Sequence, residues 1–227
     1  MHIAEHHRGF WTRERRRSLY GGIALLAVAV VIQIVAGHFS SRASLHAHWV
    51  HDILLDHLPV VNLDFMIVGG AIMLWILASW IMIAKPQYLL FGIKAIAFFV
   101  ISRAFFFSLT HVGAYPVGAP PGPDNVGWGF YKLITFQGNF FYSGHTAFPF
   151  LMALILWDDR VWRYFFLAMT VVFAGSVLLA HVHYSIDVFA APFIIYGMFV
   201  LAGKAFPKDY ALLPQKGRED LVLPARV

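Results

Sequence analysis

The chain has no cysteine and few charged residues: only 13% of its 227 residues are Asp, Glu, Lys or Arg. The lack of cysteine excludes disulfides, thiolate metal sites and cysteine nucleophiles. The scarcity of charge, with 59% hydrophobic residues, excludes a soluble globular domain, which is about half apolar and roughly a quarter charged. Disorder is excluded too, because disordered chains are poor in apolar residues. Lipid must therefore be the solvent for much of this protein.

Six apolar stretches are long enough, or nearly so, to cross the ~30 Å hydrocarbon core of a bilayer as helices. The third carries the cations Lys94 and Arg103, and the fourth is short. The predicted spans are 19–37, 65–84, 88–109, 143–157, 164–180 and 188–203. We predict an all-α integral membrane protein with a basic tail at 1–18, a six-helix catalytic transmembrane domain at 19–203 and a second tail at 204–227.

Basic residues lie mostly on one side of these spans, a bias that marks the cytoplasmic side. Thirteen of the 17 lysines and arginines fall in the tails and in the turns after spans two and four. Both tails are therefore predicted to be cytoplasmic, with segments 38–64 and 110–142 on the exoplasmic or periplasmic face. The net charge of +5 reports this topology and predicts no nucleic-acid partner. The compact, cysteine-free chain favours a bacterial inner membrane.

Three segments distant in sequence bring polar residues to the outer ends of the predicted spans, where ionisable groups are functional candidates. Arg103 lies near the outer end of span three. The segment 142–146, Tyr-Ser-Gly-His-Thr, opens span four. The segment 181–187, His-Val-His-Tyr-Ser-Ile-Asp, joins spans five and six. We infer that the three segments form one site at the outer face.

The residues of this site favour phosphoryl transfer. His183 and Asp187 are four apart, so the carboxylate can fix one imidazole tautomer and leave the other nitrogen more nucleophilic. His145 can supply a proton to a leaving group. The backbone amides at 143–145, at a helix amino terminus, form with Arg103 a binding site for an anionic phosphate. No metal or cofactor is predicted, because histidine and arginine supply the nucleophile and the charge.

The two histidine segments, 141–146 and 180–188, resemble motifs of the sphingomyelin synthase family, a branch of the type 2 phosphatidic-acid phosphatase superfamily. The stretch from Arg103 to Tyr115-Pro116 is also similar to the family's third-span motif. The resemblance covers residues 55–203. It implies six spans, cytoplasmic tails and an outward-facing site with His183 as nucleophile, Asp187 as its partner and His145 as general acid.

The chain departs from the wider superfamily in the groups that hold phosphate. Usual members have a lysine, six residues and then Arg-Pro, whereas eight residues separate Lys94 from Arg103-Ala104 here. Ser176 and Val177 stand where those members have Ser-Arg. A single arginine suits a singly charged phosphodiester better than a doubly charged monoester. These departures favour transfer of a head group between lipids over simple dephosphorylation.

We therefore predict a lipid head-group phosphotransferase that acts through a phosphohistidine. A phospholipid is the donor, and a lipid hydroxyl of ceramide or diacylglycerol is the acceptor; water in its place would give hydrolysis. The alternative enzyme is a lipid phosphate phosphatase of phosphatidate type, and the alternative of another class is a polytopic transporter or channel with structural histidines. Asn139 and Val182 replace acidic residues of the sphingomyelin synthases, which removes a natural counter-charge for choline. The predicted substrate-binding residues are Arg103, Asn139, Tyr142, Ser143, Gly144 and Tyr184.

A cluster of histidines and aspartates at 46–57 has two interpretations. His48, Asp52 and Asp56 would share a helical face, as metal ligands do. The apolar residues between them, such as Trp49 and Ile53, instead favour an amphipathic helix at the membrane surface. We adopt the second interpretation, and we expect Lys94 to pair within the helix bundle or to face a cavity.

Overall fold

The computed structural model describes residues 7, 9–44, 46–117, 141–214 and 218, and all the regular secondary structure in these ranges is helical. A π-helical segment, Phe65–Gly70, leads directly into the second helix. The α-helices are α1 Arg13–Ser44, α2 Ala71–Ala84, α3 Pro86–Leu109, α4 Gly144–Ile155, α5 Arg160–Leu179, α6 Ser185–Ala205 and α7 Pro207–Tyr210.

Five helical stretches are long and apolar enough to cross a membrane, which indicates a multi-pass membrane protein. They are Arg13–Ser44, Phe65–Ala84, Pro86–Leu109, Arg160–Leu179 and Ser185–Ala205. The first begins inside the predicted basic tail, because arginine and glutamate are good helix formers. The fourth predicted span is α4, a helix of 12 residues. It is about 18 Å long, so it cannot cross a ~30 Å hydrocarbon core by itself.

α3 and α4 form the centre of the bundle. α1 lies alongside α3, where Gly22 allows close approach: a Cβ there would be 3.3 Å from a methyl carbon of Ile93. Near the carboxyl ends of both helices, the Ser40 hydroxyl donates to the carbonyl of Phe107 at 3.2 Å. α4 is buried over most of its length and packs on α5 and α6. The helix that carries His145 in its first turn is therefore held on several sides.

Helices α1, α3 and α7 meet at one end of the bundle, which we call the tail end. The Lys94 ammonium forms an ion pair with Asp209 of α7 and donates to Ser18 of α1 at 2.7 Å. Ser18 in turn donates to the same carboxylate at 2.8 Å. Lys94 thus pairs within the bundle, as expected. Further along, Arg218 is buried and donates to the carbonyls of the last turn of α4.

The opposite end, which we call the loop end, contains the segments 46–64, 110–117 and 181–184. The predicted amphipathic helix at 46–57 is wrong, because 46–52 is irregular and 53–57 forms turns. The Asp52 carboxylate accepts from the amides of Leu54 and Leu55, and such side-chain bonds compete with helical ones. The described residues hold no group of three or more His, Cys, Asp or Glu that could bind a metal.

Candidate active site

The amino terminus of α4 is set by a serine cap. Ser143 has extended backbone, and its hydroxyl accepts from the amide of Thr146 at 3.4 Å, as a helix N-cap does. The Ser143 amide donates to the carbonyl of Asp187 at 3.0 Å. This backbone bond joins the two histidine segments, which are about 40 residues apart in sequence.

A tight turn carries the chain from α5 to α6. The amide of Val182 donates to the carbonyl of Val177, and that of His181 to Leu178, the paired bonds of a Schellman motif. His181 occupies the left-handed position of this motif, with φ 54°. The Nδ1 atom of His181 contacts the carbonyl of Val117 at 2.8 Å. The turn ends α5 and directs the next histidine, His183, into the bundle.

His183 and Asp187 are in contact across the start of α6. Nδ1 of His183 lies 3.3 Å from Oδ2 of Asp187, and the same oxygen accepts from the amide of Tyr184 at 3.0 Å. Both side chains are buried, with Asp187 only 2% exposed. Because the carboxylate sits at the first turn of the helix, its position is fixed by the backbone. The arrangement holds the Nδ1 proton of His183 and directs Nε2 away from the carboxylate.

The imidazole of His145 lies beside that of His183. The ring centroids are 6.0 Å apart with an angle of 68° between the planes. Phe173 of α5 stacks on the other side of His145, at 6.0 Å and 20°. The imidazole also has a hydrogen bond with the backbone of Ile67 in the π-helical segment. Three helical elements therefore fix the orientation of His145.

Arg103 brings a positive charge to the start of α4. Its Nε donates to the carbonyl of Tyr142 at 3.2 Å. The guanidinium lies so close to Gly144 that a Cβ at that residue would be 2.7 Å from Nη1. The arginine and the amino terminus of α4 therefore add their positive potentials at one point, where an anion would be stabilised.

These groups open on one large cavity of about 610 Å³. Arg103, Gly144, His145 and His183 line it, and because these residues adjoin one another we call this part of the wall the polar level. Apolar side chains from α1, α2 and α3 form most of the remaining wall, among them Leu26, Val30, Leu74, Ile93 and Ile96. A phosphate held at the polar level would therefore be continuous with a space suited to hydrocarbon chains.

The other predicted site residues lie around this polar level. The hydroxyls of Tyr142 and Ser102 are 2.8 Å apart within the protein, and Ser143 is fully buried as the helix cap. Tyr184 points toward the loop end, where its hydroxyl donates to the carbonyl of Gly113 at 2.7 Å. Burial raises the pKa of this phenol, so it remains a donor. Asn139 is outside the described residues.

Sequence reasoning named Asp52 only within the cluster at 46–57, without its role at α6, and it did not identify Phe173. Oδ2 of Asp52 accepts from the amide of Ser185 at 2.6 Å and so ties the loop end to the first turn of α6. Burial alone would raise the pKa of Asp52, but the bonds from Ser185 and from the amides of Leu54 and Leu55 lower it below its usual value. An aspartate followed by apolar residues gives little indication of such a remote partner. Phe173 is one of 22 phenylalanines, so composition could not single it out.

In a comparison with protein families, residues 138–204 match the family described as PAP2 superfamily C-terminal. No curated protein and no solved structure matches the chain. The matched segment contains α4, α5 and α6, and hence His145, His183 and Asp187. Over this segment the chain is similar to the PAP2 superfamily, and this similarity supports a lipid enzyme of phosphatase or phosphotransferase type.

Proposed function

We propose that the protein transfers a phosphate-linked head group from a phospholipid to the hydroxyl of a second lipid, ceramide or diacylglycerol. The observation that carries this proposal is the meeting of His145, His183 and Arg103 at one level of an apolar cavity. An imidazole pair supplies nucleophile and acid, the guanidinium supplies charge, and the cavity accommodates acyl chains. A channel would need ionisable groups along the depth of the bundle. Because these polar groups lie together, the arrangement favours an enzyme over a channel.

In the first half of the proposed reaction, Nε2 of His183 attacks the phosphorus of the donor lipid. A P–N bond forms, and the P–O bond to the diacylglycerol oxygen breaks. His145 gives its proton to that oxygen, so diacylglycerol leaves as a neutral alcohol. Asp187 accepts the Nδ1 hydrogen bond of His183 and stabilises the positive charge that develops on the imidazole. Arg103 and the α4 amino terminus stabilise negative charge on the phosphoryl oxygens.

In the second half, the hydroxyl of the acceptor lipid attacks the same phosphorus. His145, now neutral, takes the hydroxyl proton as the new P–O bond forms. The P–N bond breaks and its electron pair returns to Nε2 of His183. The enzyme ends in its starting protonation state, with the head group on the acceptor lipid. Water at this step would give hydrolysis by the same path.

Substitution of the two histidines tests this proposal. We expect His183→Ala and His145→Ala each to abolish turnover in detergent micelles, while the melting temperature stays close to that of the wild type. His181→Asn is the matched control, because asparagine also tolerates positive φ and the turn is preserved. It should keep most of the activity. Near wild-type turnover in either alanine variant would refute the assigned roles.

Hydrolysis of a phosphate monoester is the second candidate. The observation that favours it is a cavity of about 450 Å³ on the loop-end side of Asp187, lined partly by His51, Asp52 and Thr110. The polar side chains in this mostly apolar wall can hydrogen-bond water, which could act as acceptor. Purified protein should be given phosphatidic acid alone and, separately, a phosphocholine lipid with ceramide. Free phosphate from the first and no exchange in the second would make the protein a phosphatase.

A further inference from the structure

Among the described residues that line the large cavity, two polar side chains have no role in the reaction path above and have an oxygen atom that no hydrogen bond satisfies. They are Gln33 on α1 and Asp64, the residue that precedes the π-helical segment. Gln33 is only 8% exposed. Within the described residues, Oε1 of Gln33 and Oδ2 of Asp64 are buried and have no hydrogen-bond partner. An unpartnered buried oxygen destabilises the fold, so two that line one cavity call for a functional explanation.

Both side chains lie near the level of the histidines. α1 and α3 run side by side, with Gly22 against Ile93 and Ser40 bonded to Phe107. Because Gln33 lies between Gly22 and Ser40 on α1, it lies opposite the part of α3 between Ile93 and Phe107, which contains Arg103. Asp64 begins the helical stretch that contains Ile67, the backbone partner of His145. The two unpartnered oxygens therefore face the same part of the cavity as the proposed reaction centre.

We propose that Gln33 and Asp64 bind the lipid alcohol that receives the phosphoryl group, an inference that rests on the proposed transfer reaction. Both unpartnered atoms are hydrogen-bond acceptors, so their ligand must bring donors. The ester and phosphate oxygens of a phospholipid are acceptors only, and Arg103 and the α4 amides already suit them. A lipid alcohol brings its hydroxyl as a donor. One side of the cavity thus carries hydrogen-bond donors, which suit the phosphate, and another side carries hydrogen-bond acceptors, which suit the alcohol.

The apolar wall supports this division. Leu26 and Val30 precede Gln33 on the same face of α1, and Ile93 and Ile96 face them from α3. A lipid whose hydroxyl is bonded at Gln33 can extend its hydrocarbon chains along this wall, away from the histidines. Its reacting oxygen then stays at the polar level, where the phosphoryl group is transferred.

The test uses Gln33→Leu and Asp64→Ala in the full chain. Transfer from a phosphocholine lipid is measured in mixed micelles against the mole fraction of diacylglycerol or, separately, ceramide. We expect KM for the alcohol to rise about tenfold, the effect of roughly one lost hydrogen bond, with hydrolysis and the KM of the phosphocholine lipid unchanged. The melting temperature of Gln33→Leu should stay equal or rise, because an unsatisfied buried amide is removed. Gln87→Leu, at the tail end of α3, is the matched control and should leave every constant unchanged.

Three outcomes would overturn the inference: an unchanged KM for both alcohols, equal losses in transfer and hydrolysis, or a rise in KM of the phosphocholine lipid alone. A binding measurement separates this failure from failure of the proposed reaction. A photoreactive diacylglycerol should crosslink to the His183→Ala variant, and Gln33→Leu in that background should weaken the crosslink. Because no turnover is needed, the measurement remains informative whatever the nucleophile is.

Discussion

Gly144 lies where the site has no room for a side chain. In Gly144→Ala the new Cβ would be 2.7 Å from Nη1 and 2.9 Å from Cζ of Arg103, so the guanidinium must move. It is the end of a flexible side chain, and alanine is a better helix former than glycine. We therefore expect stability to be kept while kcat falls about tenfold or more, because a preorganised charge is displaced.

Initial rates and melting temperatures of the same preparation check this expectation. Gly175→Ala is the matched control, since a Cβ there would meet nothing within 4 Å. It should leave the rate unchanged. If Gly144→Ala has full activity, the position of the Arg103 guanidinium does not matter for the reaction.

Two contacts of Asp187 differ in whether sequence spacing could predict them. The separation of four between His183 and Asp187 predicted their contact, and the structure has it at 3.3 Å. The contact crosses the start of α6, with His183 before the helix and Asp187 in its first turn. The bond from the Ser143 amide to the Asp187 carbonyl had no such signal, because it depends on how α4 and α6 pack.

Among the elements, the start of α6 depends on a remote carboxylate. Asp52 accepts from the amide of Ser185, and its hydrogen bonds lower its pKa below the usual value of about 3.9. A carboxylate with a depressed folded-state pKa stabilises the protein fully above its unfolded pKa. That contribution is lost as the pH falls through the folded pKa.

The melting temperature measured between pH 7 and pH 3 tests this linkage. Asp52→Ala should lower stability at pH 7 by about 1 kcal/mol or more, the usual effect of losing a helix cap. The difference between variant and wild type should shrink as the pH falls below about 4, because the unfolded-state carboxylate then binds a proton that the folded carboxylate takes up only at lower pH. A difference independent of pH would show that the ionised form of Asp52 contributes nothing.

The elements that the sequence predicted best are those defined by an uninterrupted apolar stretch of membrane-spanning length. The range 65–84 agrees with the helical stretch Phe65–Ala84, because both ends are marked by polar residues. The helix predicted at 46–57 failed because its periodicity competes with nonlocal bonds. The carbonyl of His48 accepts from the amide of Gly113, and Oδ2 of Asp52 accepts from the amide of Ser185. Periodicity cannot show such partners.

At the scale of the whole molecule, a buried ion pair joins the central helix α3 to the short helix α7. Lys94 and Asp209 contact each other with side chains that are 9% and 11% exposed. Asp209→Leu leaves the ammonium buried and unpaired, so we expect a loss of about 3 kcal/mol in the free energy of unfolding. Adding Lys94→Met should recover most of that loss, since an apolar pair replaces the ionic one.

Unfolding of the single and double variants in detergent measures this coupling. The rate per folded molecule should change little, because the pair lies at the tail end, away from the histidines. Additive losses in the double variant would mean that the pair does not couple the two segments. Sequence reasoning expected a partner for Lys94 but could not name Asp209, because 115 residues separate them.

The direction in which the molecule crosses the membrane can be tested because the chain has no cysteine. His51 at the loop end and Lys208 at the tail end have side chains 81% and 87% exposed. The bias of 13 basic residues out of 17 predicts that the loop end faces outward. A membrane-impermeant maleimide should therefore label His51→Cys but not Lys208→Cys on intact cells, and both after permeabilisation. Substitution of Lys208 removes only an exposed pair with Glu14, so the fold should be unaffected. The reverse labelling would put the histidines on the cytoplasmic side, where the acceptor lipid would have to come from the inner leaflet.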